Sequence, residues 1–148
     1  MHEEIKAFEG YLKKEGLKLT NQRLAVVKAA FSTHKHFTAL EMLALSKKMD
    51  PTVSRATVYR TLFLLAKAKL LDKQDFEKGK VYYEHLIGHH HHDHLVCLKC
   101  GRIYEFENTK IEEMQRKVVT KEKFIPLTHS LKIFGICKNC RKRVRRQG

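Results

Sequence analysis

The segment HHHHDHLVCLKC, from His89 to Cys100, concentrates side chains that bind metal ions. Five imidazoles and one carboxylate run from His89 to His94, and two thiols follow at Cys97 and Cys100. Imidazole and carboxylate donors suit several divalent first-row metals, whereas paired thiolates suit zinc. In an extended chain side chains alternate between faces, so His90, His92 and His94 share one side and His91 and Asp93 the other. Gly101, directly after the C-x-x-C, is free to take the left-handed conformation that a tight knuckle needs. One short stretch can therefore feed three separate metal sites. A histidine tag would sit at a terminus, and this run is internal. A solvated His-rich loop would leave the second cysteine pair, Cys137-x-x-Cys140, unaccounted for. The chain has four cysteines, all in these two pairs. Two redox dithiols and an iron–sulfur cluster are rival readings. The basic, turn-like surroundings of each pair favour one tetrahedral zinc site.

The chain that must position these groups has 148 residues, enough for one ordinary domain or two small ones, and its 43% hydrophobic content allows a real core. No run approaches a membrane span, and the N-terminus lacks a signal peptide's apolar stretch, so a cytoplasmic protein with no membrane partner is expected. Lysine and arginine outnumber the acids 30 to 16, a net +14, which suggests a polyanionic partner such as nucleic acid. Both halves are basic, but much of the excess in the second half sits in the tail Arg141, Lys142, Arg143, Arg145 and Arg146. The folded basic surface is therefore expected mainly in the first half.

The expected class is α+β, with residues 1–84 forming one domain and 85–148 a second. Ile5, Phe8 and Leu12 have helical spacing that ends near Gly16. Thr20 or Asn21 can cap a second helix with Leu24, Val27 and Phe31 on one face. Thr38-Ala39-Leu40-Glu41 is a capping-box pattern opening a third helix, which Asp50-Pro51 ends. Ser54 can cap a fourth, with Val58, Leu62 and Leu65 inward. Leu70 to Phe76 and Lys80 to His85 flank Lys78-Gly79 as a two-stranded hairpin. Three helices and a hairpin after the first helix make the winged helix-turn-helix pattern, whose reading helix enters the major groove of double-stranded DNA. Arg55, Thr57, Tyr59 and Arg60 lie near the start of that helix, away from its apolar stripe. Arginine suits bidentate contact with guanine, and Tyr or Thr can bond phosphate or touch a thymine methyl.

Gly88 breaks the strand pattern and marks a connector. Beyond it, Ile103 to Phe106 reads as a strand, and Asn108 can cap a helix presenting Ile111, Met114 and Val118. Pro126 to Ile136 reads as a strand with Leu127, His129, Leu131 and Ile133 on one side. So small a unit has little core, and the zinc knuckle and self-association are both expected to stabilise it.

These residues resemble the ferric uptake regulator family. The matching stretches are Gly16-Leu-Lys-Leu-Thr-Asn-Gln-Arg23, Ser54-Arg-Ala-Thr-Val-Tyr-Arg60, Tyr83-Glu84, HHDHLVCLKCGRIYEF and Cys137-Lys-Asn-Cys140, which together span nearly the whole chain. The resemblance implies a winged-helix DNA-binding domain, a small C-terminal α/β dimerisation domain with a four-cysteine zinc site, and a dimeric, metal-dependent repressor of metal-uptake genes that binds operator DNA as a homodimer or tetramer. It implies structural zinc on Cys97, Cys100, Cys137 and Cys140. It implies a regulatory site of His36, Glu84, His92 and His94, joined in some members by the residue at Glu105; the Gly88 connector is where this chain departs from the family, and it makes His89 and His90 extra candidate ligands. A further site would use His91, Asp93, Glu112 and His129. Lys18 and Arg23, around the start of the second helix, join Arg55, Thr57, Tyr59 and Arg60 as DNA contacts.

Glu105 stands where the peroxide-sensing branch typically has Asp, and the H-H-D-H run favours an iron-type regulator responding to Fe(2+). Zinc, manganese and peroxide responses share the architecture. Two other classes compete. A metal-dependent hydrolase would need an open coordination position and a general base in a pocket, for which the sequence offers no signature. A metal store would leave the winged helix unexplained. A non-enzymatic regulator is the expectation.

Overall fold

The computed structural model describes residues 1–33, 35–76, 80–85 and 92–145. The Lys78-Gly79 turn, the Gly88 connector, and His89, His90, His91 and Arg146 fall outside the described residues. The chain divides into two compact units, Met1–His89 and His90–Gly148.

The first unit contains helices α1 (His2–Lys14) and α2 (Asn21–Ala30), strand β1 (Phe37–Thr38), helices α3 (Ala39–Met49) and α4 (Arg55–Lys67), and strands β2 (Leu71–Phe76) and β3 (Lys80–His85). Each helix boundary has a local cause. Helix α1 stops at Gly16, whose φ of 68° lets the Leu17 N–H reach back to the Leu12 carbonyl at 2.8 Å. Thr20 caps α2 by accepting from the Arg23 N–H. At α3 the capping box is complete: Thr38 Oγ1 accepts from the Glu41 N–H at 3.3 Å, and Glu41 Oε2 accepts from the Thr38 N–H at 2.6 Å. Ser54 Oγ accepts from the Thr57 N–H and caps α4.

These helices enclose a core that includes Phe8 and Leu12 of α1, Val26 and Val27 of α2, Met42 of α3, and Val58, Leu62 and Leu65 of α4. The small residues Ala25, Ala29 and Ala30 let α2 sit centrally, buried on most of its surface. The expected two-stranded hairpin is a three-stranded antiparallel sheet in the order β1-β3-β2. Its added strand is only two residues long, too short to show an alternating pattern. The core extends onto this sheet through Phe37, Leu71 and Tyr83.

The second unit contains strands β4 (Asp93–Cys97) and β5 (Ile103–Phe106), helix α5 (Thr109–Lys121), strand β6 (Lys132–Gly135) and helix α6 (Lys138–Arg145). The sheet order is β5-β4-β6, with β4 antiparallel to β5 and parallel to β6. Parallel pairing requires a crossover, and α5 lies within it. Two expectations are corrected. The strand expected from Pro126 to Ile136 is only Lys132–Gly135, and Leu127 is 94% exposed, so its alternation with His129 is not that of a half-buried strand. The second cysteine pair, expected in a turn, opens α6, and much of the basic tail lies on this helix. Among the described residues, only Asp93, His94, Val96, Cys97 and Cys140 are buried here, and α5 buries none.

Candidate metal centres and nucleic-acid interface

The four thiols gather because β4 and β6 run in parallel. Cys97 ends β4 opposite Gly135, and Cys137 follows two residues later. Gly101, at φ 70°, folds the knuckle back so that its N–H reaches the Cys97 carbonyl at 2.8 Å. Cys140 enters from the first turn of α6. One sulfur from each of Cys97, Cys100, Cys137 and Cys140 lies within 4.8 Å of the others, and Cys100 and Cys137 stand 3.8 Å apart. Zinc–sulfur bonds of about 2.3 Å give a tetrahedral edge of about 3.8 Å, so the donor set fits structural zinc. The thiols are not in disulfides. The Cys137 N–H donates to Cys97 Sγ at 3.3 Å and, with the Cys100 N–H, lowers the Cys97 pKa to about 6. Burial pushes Cys140 up to about 12, with its neighbouring thiols adding to the shift. A cation is the partner that would let all four ionise together.

Nitrogen and oxygen donors collect in both units. In the first, Phe37 pairs with Tyr83 and Thr38 with Tyr82, and this register carries His36 to Glu84. His36 Nε2 lies 3.0 Å from Glu84 Oε2, both side chains largely buried. Gln74, buried on β2, donates to Asp72 and lies 3.5 Å from Glu84 Oε1. In the second unit the His92 and His94 rings are 5.0 Å apart, and Glu105, opposite His94 on β5, brings Oε2 to 4.0 Å from His92 Nε2. Glu112 of α5 meets His129 at 3.2 Å. Asp93 is 1% exposed, and its Oδ1 has no hydrogen-bond partner, an oxygen suited to a cation. Asp93, Glu112 and His129 do not close on one point among the described residues.

The outer face of α4 carries the expected DNA-contacting groups. Arg55, Tyr59 and Arg60 are exposed, and the Arg55 guanidinium lies over the Tyr59 ring at 5.6 Å. Phe63 and Lys67 repeat the pairing two turns on, also at 5.6 Å. Thr57 is half-buried, and its hydroxyl bonds Ser54 and Gln22 at 2.9 and 3.3 Å, so it holds the helix start in place. Gln22 also donates to the carbonyl and hydroxyl of Thr52 at 3.1 Å, tying α2 to the turn before the reading helix. Neither Gln22 nor Gln74 stands out in the sequence, because the partners of each become visible only with the fold. Lys18 is exposed, and its carbonyl accepts from the Arg23 guanidinium. No helix among the described residues is long and apolar enough to cross a membrane.

A winged-helix unit joined to a zinc-cysteine unit, both bearing metal-binding side chains, defines a metal-responsive DNA-binding regulator. The chain belongs to the Ferric uptake regulator family, whose family model matches residues 14–134. It is 36% identical over 137 residues to the Ferric uptake regulation protein of Neisseria meningitidis serogroup A / serotype 4A, covering 91% of this chain and 94% of that one. It is 38% identical over 127 residues to the protein of that name from Escherichia coli K12, covering 85% of each. Among solved structures it resembles the Helicobacter pylori ferric uptake regulator Fur, described as having three functional metal binding sites. The TM-score is 0.85 and the identity 32%, over 95% of this chain and 93% of that one. Regulators of this family are dimers that bind DNA and divalent metals.

Proposed function

We propose that this protein is an iron-responsive repressor of metal-uptake genes, acting in the cytoplasm as a homodimer and without enzymatic activity. The observation that carries the reading is the set of paired donors. His36 and Glu84 meet at 3.0 Å in the first unit, while His92 and His94, with Glu105 beside them, meet in the second. These residues form the regulatory ligand set, and a bound divalent ion supplies the coordinate bonds that join the two units. His36 and Glu84 then fix the first unit, and with it α4, in a DNA-competent orientation. In a dimer that orientation sets the spacing of two reading helices on two half-sites. Shifting such a balance from 1:99 to 99:1 takes ~5.5 kcal/mol of differential affinity.

Asp93, Glu112 and His129, with His91, make a separate site. The four cysteines stabilise the second unit and have no part in the response. The exposed apolar groups of that unit, Met114 and Val118 among them, are covered by a second copy. The relatives' printed names support iron, as does Glu105. Nitrogen and oxygen ligands of this kind also take zinc and manganese.

Operator affinity against free Fe(2+) tests the proposal, with DNA selected by the protein itself and the work done without oxygen. His36→Ala should keep its four-cysteine zinc and its dimer yet lose the metal-induced gain in affinity. A His36→Ala protein that responds to metal as the parent does removes His36 from the sensor.

A further inference from the structure

Gln74 is a buried polar side chain that the metal and DNA readings leave without a role. It is 7% exposed, in the middle of β2. A buried primary amide has to be paired, and the two partners of Nε2 are both carboxylates. One is Asp72, two residues back on the same face of β2, and the other is Glu84 Oε1, at 3.5 Å on β3. Asp72 and Glu84 stand directly opposite each other in the antiparallel register. Like charges so placed repel and weaken the pair. The amide has two N–H groups, one for each acid. A lysine here would consume the Glu84 charge in an ion pair, and a leucine would leave the acids facing each other. The neutral donor does neither. Meanwhile the other oxygen of Glu84, Oε2, faces His36 Nε2 at 3.0 Å. The two oxygens of one carboxylate therefore have separate surroundings.

We propose that Gln74 is a positioning residue for metal binding: its amide, set between Asp72 and Glu84, holds Glu84 Oε1 so that Glu84 presents Oε2 alone beside His36. The proposal rests on the reading of Glu84 as a regulatory ligand. Groups that hold a ligand in place commonly change metal affinity by roughly 10- to 100-fold when removed.

The test titrates full-length, zinc-loaded protein with Mn(II) alone, comparing Gln74→Leu, Gln74→Glu and Glu84→Ala with the parent. Gln74→Glu keeps the side chain's shape but lacks the amide donor. Both Gln74 variants should bind Mn(II) roughly 10- to 100-fold more weakly, with zinc content and dimerisation unchanged and the Mn-free protein still folded. Adding Asp72→Asn to Gln74→Leu should recover affinity, because it removes the facing charge and returns an amide. If Glu84→Ala weakens binding and neither Gln74 variant does, Gln74 has no positioning role and Glu84 stands as a ligand. If Glu84→Ala binds Mn(II) like the parent, the reading of Glu84 falls and this proposal with it. Should both Gln74 variants lose their fold, the amide is a core-stabilising group and the proposal is overturned.

Discussion

Stripping zinc from the four cysteines should unfold the second unit and leave the first intact. Cys97 and Cys137 are 40 positions apart, so an ion held by both pairs closes a loop of that length. By the chain-entropy relation for cross-links, such a closure is worth ~4 kcal/mol. Against this, Val96 is the one buried side chain of the unit, among the described residues, that is neither a thiol nor a potential metal ligand, and a fully buried aliphatic side chain contributes about 1.5–3 kcal/mol. The first unit has, among the described residues, a core cluster of eighteen buried residues and needs no ion. Hydrogen exchange read by mass spectrometry, before and after a chelator at neutral pH, separates the units. The amides of β4, β6 and α6 should lose protection while those of α1 to α4 keep it. Equal protection of β6 and α6 without zinc would refute the reasoning.

Acid should act in the same direction. The depressed pKa of Cys97 makes its thiolate contribution complete above the ordinary thiol value of 9.0 and lost as pH falls through about 6. Bound zinc competes with protons for the thiolates, so zinc should be held down to that value and released only below it, and release already complete well above it would count against the Cys97 assignment.

Two further outcomes are expected. Tyr59→Ala and Arg60→Ala should weaken operator binding by about 1–3 kcal/mol for a base contact, with metal content and dimerisation intact, and Lys18→Ala should lower the salt slope of binding by about 1. Unchanged affinity and salt dependence in all three would move the DNA surface elsewhere, with the basic residues of α6 the first to test. Met114→Glu should favour monomers in sedimentation, since a side chain buried twice across a symmetric interface forfeits about 3–6 kcal/mol, two or more decades in dissociation constant. A Met114→Glu protein that remains a dimer at nanomolar concentration places the interface on another face.

Helix starts were the most legible part of the fold, because Thr20, Thr38 with Glu41, Ser54 and Asn108 are hydroxyl or amide groups whose capping partners lie two or three residues away. Local chemistry of that range can be read from spacing alone. Strand β1 could not be, since Phe37 and Thr38 are strand only through pairing with Tyr83 and Tyr82, forty-odd positions later. That pairing delivers His36 to Glu84, so the sequence could offer the ligands but not the means of their meeting. Leu127 and His129 imitated a continuation of the strand that holds Ile133, because alternation also arises where apolar groups are exposed. Helix α6 was hidden by its charge, as Arg141 to Arg145 gives little apolar period to read. Gln74 was hidden because its role depends on register.

Helix α5 has a consequence for how much of the protein a cell can keep. It has 13 residues and buries none of their side chains. Isolated helices shorter than ~12–15 residues are marginal in water, so in a lone chain α5 depends on its Asn108 cap, the Glu112–His129 contact and partial burial of Ile111 and Val119. If a second copy covers α5, as proposed above, a newly made chain that has not met another exposes a fraying crossover to proteases and a paired copy does not. The lifetime of each molecule thus rises with the number of others present. Below a threshold of synthesis such a pool would drain faster than it fills, with no dedicated degradation signal needed.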